Sequence, residues 1–115
     1  MLNCQIEDRA TRIDVKVSGE LTVAQGQAFR SRILEWGGTD KPFHLDLSEV
    51  SHMDLAGLQL IHALWQWCWR QGQEVVIQGP MPQVVAATVA LAGFDRPCVE
   101  LEAGRSWIWN QGAQA

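Results

Sequence analysis

The stretch Leu45-Asp46-Leu47-Ser48-Glu49-Val50-Ser51-His52-Met53-Asp54-Leu55-Ala56-Gly57-Leu58 decides how this chain is read. Phe43, Leu45 and Leu47 alternate with polar neighbours, the period of a half-buried strand, while an apolar repeat at helical spacing starts from Leu55. Asp54 stands where a helix N-cap belongs, its carboxylate placed to accept hydrogen bonds from the open amides of the turn that begins at Leu55. A buried strand that passes through a short loop into an acid-capped helix is a place where α/β proteins put function. The residue just inside the helix is Leu55, not a serine or threonine.

Upstream, Leu2, Cys4 and Ile6 alternate with polar residues, and Ile13, Val15 and Val17 do so again after Asp8-Arg9-Ala10-Thr11. That pattern predicts two antiparallel strands joined by a tight turn. Gly19 is expected to break the second strand. Thr22 and Gln25 form a capping-box pattern ahead of a helix with Gly26, Phe29, Ile33 and Trp36 on one face, which Gly37-Gly38 should end. The next strand is expected over residues 42–47, then a helix over 55–71, stopped by Gly72. Glu74 to Gln78 reads as a short strand, and Gly79-Pro80-Met81-Pro82 as a loop whose last proline suits the first helical position. A third helix over 82–92 ends at Gly93, the natural C′ residue, with Phe94 placed to pack back; residues 98–101 offer a last strand.

The order is therefore ββαβαβαβ. Strands that alternate with helices need right-handed crossovers, which make consecutive strands parallel and stack helices on the sheet. The expected fold is α/β, with a mixed, mostly parallel sheet of about four to five strands and three main helices, antiparallel only at its N-terminal edge. Residues 1–111 should form one domain, with 112–115 a frayed tail. A short helix could begin at Ser106, and the rings of Trp107 and Trp109 either close one edge of the core or form a sticky patch.

The chain has 115 residues and a formal charge of -4, its acidic and basic residues scattered, with no basic block to follow a phosphate backbone. Nucleic-acid binding is not expected. No stretch reads as a secretory signal or a membrane span, so a cytoplasmic protein that does not insert into membranes is expected. Cys4, Cys68 and Cys98 are odd in number and far apart, which fits reduced, buried thiols rather than a disulfide framework or a metal site. No cofactor is implied, since neither a Gly-x-x-x-x-Gly-Lys nor a Gly-x-Gly-x-x-Gly turn occurs. His44, His52 and His62 do not stand at zinc spacing with carboxylates. Ser51, His52 and Asp54 invite a nucleophile-base-acid proposal, but successive loop residues do not converge on one reacting atom and Asp54 is already explained as a cap.

Around the helix that starts at Leu55, steps of about 100° gather Gly57, Leu60, Ile61, Leu64 and Cys68 on a core face. Gln59, His62, Gln66 and Arg70 fall opposite, as a solvated stripe. Leu55 and Trp69 lie within or beside that stripe, where large apolar side chains are out of place. Either Trp69 folds over a neighbouring helix and a loop covers Leu55, or the two belong to a partner-binding surface, since Trp and Arg are enriched among interface anchors. Trp65, Trp67 and Trp69 cannot all bury their rings on one side.

Val17-Ser18-Gly19-Glu20-Leu21-Thr22, the segment Leu45 to Val50 followed by Met53-Asp54-Leu55-Ala56-Gly57-Leu58, and Ala92-Gly93-Phe94-Asp95 together resemble, in order, the STAS domain of sulfate transporters and anti-sigma factor antagonists. The resemblance implies a non-enzymatic switch module that works through protein contacts. In the antagonists, a serine or threonine directly after the aspartate that matches Asp54 is phosphorylated by a partner kinase, which adds charge at the helix start. Leu55 has no hydroxyl, so that switch is expected to be absent at the usual position. Ser51 is the fallback phosphoacceptor. The resemblance implies an anti-sigma factor, a serine kinase or another signalling protein as partner. With an apolar side chain at position 55 and the anomalous stripe on the helix, constitutive docking through Asp54, Leu55, Gln59, His62 and Trp69 is expected. The alternative is a small STAS accessory subunit of a lipid-transport ABC complex, docking on its ATPase through the same helix.

Overall fold

A computed structural model describes residues 2–35, 41–94 and Trp109. Strand β1 (Leu2–Asp8) and β2 (Ile13–Leu21) pair antiparallel, Cys4 opposite Val17 and Ile6 opposite Val15. A 3₁₀ turn (Val23–Gln25) leads into helix α1 (Gly26–Leu34). Then come β3 (Phe43–Met53), α2 (Leu55–Arg70), β4 (Val75–Gln78) and α3 (Gln83–Leu91). The sheet runs β1-β2-β3-β4, and β3 is parallel to both β2 and β4. Among the described residues, the mixed, mostly parallel α/β sheet expected from the pattern is present with four strands and three main helices.

Two right-handed crossovers that step in the same direction along a sheet put their helices on the same face. Alternation along the strands fits this: Ile13, Val15, Val17, Phe43, Leu45, Leu47, Val75 and Ile77 are buried, while the residues between them are partly or fully exposed. Phe29 and Ile33 of α1, Leu58, Ile61, Leu64, Trp65 and Cys68 of α2, and Val85 and Val89 of α3 complete that core.

Strand β3 is longer than the alternation predicts, running to Met53 instead of ending near Leu47. Its buried positions move from Leu47 to Val50 to Met53, three residues apart each time, because the pairing with β2 shifts between Lys16 and Ser18 and again between Gly19 and Glu20. Extra residues at bulges break the two-residue period on which the expectation rested. Ser48 therefore lies on the strand, not in a turn after it, and its amide donates to Asp46 Oδ1 at 2.9 Å. Ser51 is the residue left over at the second shift, between Val50 opposite Gly19 and His52 opposite Glu20. Gly19 bends β2 with φ of +91° but does not end it.

Thr22 makes no side-chain cap bond; its carbonyl accepts from the Gln25 amide in the 3₁₀ turn, and α1 starts only at Gly26. Pro82 is the N-cap of α3, one residue before the expected place. The helix ends follow the sequence closely. Gly72 (φ +76°) and Gly93 (φ +78°) are C′ residues whose amides donate to Trp69 O and Ala90 O, and the next amides, of Gln73 and Phe94, donate to Cys68 O and Val89 O. Both are Schellman ends. The expected stop at Gly37-Gly38, the face position of Trp36, the strand over 98–101, the helix start at Ser106, Trp107 and the tail 112–115 lie outside the described residues. Among those described, no helix is long and apolar enough to cross a membrane.

Candidate functional site

The end of β3 and the start of α2 meet the end of β2 at one corner. Asp54 has extended backbone (φ -104°, ψ 178°), and its Oδ1 accepts the Gly57 amide at 2.8 Å, as an N-cap should. Its second oxygen does something the sequence did not show: Oδ2 accepts the amide of Val23 at 3.2 Å. One carboxylate thus satisfies the open amides of two helical starts, and the Asp54 amide donates to Leu21 O at 3.4 Å from the same joint.

Gly57 allows this closeness. A Cβ built there would sit 2.0 Å from the carbonyl oxygen of Leu21 and 2.8 Å from its carbon. Leu21 itself is fully buried, so backbone meets backbone with no side chain between.

The corner leaves two large apolar side chains in solvent, Leu55 at 54 % and Val23 at 73 % exposure. Leu55 is expected here from its place on the helix wheel. Val23 is not, because the Thr22…Gln25 spacing points only to a cap; a valine in the first turn of an exposed helical start is the available signal. Gln59, one turn after Leu55, is also exposed.

Further along α2 the stripe expected to be solvated is covered. His62 is buried, its ring 4.6 Å from that of Phe94 and 5.5 Å from that of Trp65, and its Nδ1 accepts the indole N–H of Trp109 at 3.4 Å. Helix geometry puts His62 beside Gln59, but the Schellman end of α3 sends Phe94 back over it, which periodicity within one helix cannot report. His62 is accordingly a core residue, not a surface contact. Burial pushes its imidazole pKa down.

Trp65 is buried, and Trp69 packs edge-on against it, centroids 4.3 Å apart, and stays half-buried; Trp67 is half-buried too. The exposed face of α2 is thus turned toward Gln59, Ala63 and Arg70. Cys68 is buried and its thiol pKa is pushed up to about 12, so it stays protonated packing. Trp109 is buried in the core, so of the two readings of the C-terminal rings it takes the core-closing one.

Ser51 and His52 are exposed neighbours on β3, and Asp54 is committed to its two amides. These three do not assemble a nucleophile-base-acid array. Among the described residues no three His, Cys, Asp or Glu side chains cluster as metal ligands.

In sequence, the family described as Mlab, STAS domain matches residues 4–102. No curated protein matches the chain. In structure the chain is similar to an anti-sigma factor antagonist from Mycobacterium paratuberculosis, at 25 % identity and a TM-score of 0.67, over 83 % of this chain and 80 % of that one. It is also similar to the anti-sigma factor antagonist SpoIIAA in its unphosphorylated form, at 18 % identity and a TM-score of 0.63, over 79 % of this chain and 81 % of that one. A third likeness is to Mglu, at 18 % identity and a TM-score of 0.61; it covers 66 % of this chain but only 19 % of the Mglu chain. The last two are likenesses of fold.

Proposed function

The chain belongs to the STAS-domain family, and from that premise we propose that it is a cytoplasmic, non-enzymatic regulatory protein of the anti-sigma factor antagonist or signalling-adaptor kind, docking on a protein partner through its Asp54 corner. The observation that carries this reading is the pair of exposed apolar side chains, Leu55 and Val23, held at a rigid joint by one carboxylate. Burying what remains exposed of the two contributes on the order of 1–3 kcal/mol, enough to anchor a contact without any modification. Gln59 extends the surface by one turn. Trp69, half-buried against Trp65, supports its far end.

The usual phosphoacceptor position is filled by Leu55, so docking is constitutive there. A phosphate on Ser51 would sit on the exposed bulge of β3, and intact-mass measurement of protein isolated from its own cells detects or excludes it. A second reading, an accessory subunit docking on the ATPase of a lipid-transport complex, uses the same corner, and the match to the family that carries the Mlab name keeps it in view. Affinity capture from native lysate tests both. The captured protein, an anti-sigma factor or serine kinase in one case and an ABC ATPase in the other, selects between them. Its loss with Leu55→Asp and Val23→Asp supports the corner, and undiminished capture by both folded variants refutes it.

A further inference from the structure

Helices α1 and α2 leave between them an apolar groove of about 190 Å³, lined by Phe29, Ile33 and Leu34 on one side, Leu60, Ala63 and Trp67 on the other, with Arg30 at its rim. An apolar cavity of about 150 Å³ holds a benzene ring, so this one has room for a single side chain of Phe or Leu size, not for a drug-sized ligand. Leu34 is 46 % exposed at one wall, and Ala63 is exposed at the other.

The charges around the groove differ from those elsewhere. Arg9, Arg12, Lys16, Arg32 and Lys41 each meet a carboxylate. Arg30 forms no ion pair among the described residues, and neither does Arg70, which lies one turn beyond Trp67 on α2. On a chain whose formal charge is -4, a cation left without an acid among the described residues, Arg30, stands at the rim of this apolar groove. Two helices with an apolar furrow between them suit a third helix, which presents its apolar stripe to the furrow and its flanking charges to the rim.

We propose that the α1–α2 groove is a second docking site, distinct from the Asp54 corner, that takes an amphipathic helix of a partner protein: one Phe- or Leu-sized side chain enters beside Trp67, and an acidic residue one turn away pairs with Arg30. The site does not depend on Leu55, so its failure leaves the corner untouched, and the reverse.

The test is a titration of ¹⁵N-labelled full chain with two synthetic helical peptides of about sixteen residues, long enough to hold a helix. Both carry Leu and Phe at i, i+4 and i+7; one is flanked by Glu, the other by Lys. The acidic peptide is expected to move the signals of Leu34, Ala63 and the Trp67 indole, and to bind about three- to fivefold more tightly than the basic one at low salt. Arg30→Glu should reverse that order. Ala63→Glu, at an exposed position that leaves the core intact, should abolish binding of the acidic peptide.

Equal binding of the two peptides, an order unchanged in Arg30→Glu, signals that move at Val23 and Leu55 instead, or no movement at all would each overturn the assignment. So would self-association lost in Ala63→Glu, which makes the occupant a second copy. Movement of the same signals by decanoate but by neither peptide would make the occupant a small amphiphile.

Discussion

Gly57→Ala places a methyl group where the backbone of β2 already is. The built Cβ lies 2.0 Å from Leu21 O, and relieving that contact requires the start of α2 and the end of β2 to part by about 1 Å. Neither can yield by a rotamer change, since the obstructing atoms are a carbonyl. Alanine gains up to about 1 kcal/mol over glycine in helix propensity. Against it stand overpacking, typically about 1–3 kcal/mol and more where backbone must move, and the weakening of the Asp54 bonds to Gly57 and Val23, about 1 kcal/mol each. The net expectation is a loss of about 2–4 kcal/mol, or roughly 8–15 °C in Tm for a chain of this size.

Gly26→Ala is the matched control. Its Cβ would also come close, 2.7 Å from Leu60 Cδ1, but that atom is the end of a flexible side chain, and Gly26 already has helical φ and ψ. This variant should stay within about 1 kcal/mol of the parent, with propensity and repacking nearly offsetting. Urea unfolding of the three proteins, with Tm by circular dichroism, makes the comparison. Should Gly57→Ala match the parent, or the two alanine variants lose equal stability, the account of the corner as a backbone-to-backbone joint is wrong.

Asp54→Ala removes the acceptor for two amides and should lose about 1–2 kcal/mol in urea unfolding, while Asp54→Asn, which keeps one acceptor oxygen, should lose less. Trp109→Ala empties a buried site beside His62 and is expected to lose about 3–5 kcal/mol by the same measurement; a change under about 1 kcal/mol would place the ring outside the core. His62 takes up a proton less readily in the native state than in the unfolded chain, so its contribution is fully present above about pH 6.5 and is lost as pH falls toward the lowered native pKa. Tm followed from pH 8 down to 5 should therefore fall more steeply for the parent than for His62→Gln, and parallel curves would remove His62 as the cause.

The elements most legible in the sequence were those signalled within a few residues. Asp54 before an apolar helical repeat, Gly72 and Gly93 after one, and alternation in Ile13, Val15 and Val17 each reflect a local backbone requirement. What was not legible depends on packing between segments distant in the chain. The bulges that carry β3 to Met53 arise from its register with β2, and they hid the strand behind a broken alternation. The covering of His62 by Phe94 comes from where α3 ends, not from the α2 sequence. Of the candidate site, Asp54, Leu55 and Gln59 were identified from the sequence; Val23 entered only through a hydrogen bond that spans 31 positions.

The two-amide grip of Asp54 also separates what can change from what cannot. The acid and Gly57 fix the joint through backbone atoms alone, so neither reads the side chains at positions 23 and 55. Substitutions of Val23 and Leu55 can accordingly alter which surface is presented while leaving the joint intact. Under the proposed docking role, a lineage could exchange partners at those two positions without passing through a misfolded ancestor, and pairs of chains that share the acid and the glycine but differ at 23 and 55 are where divergent specificity would accumulate.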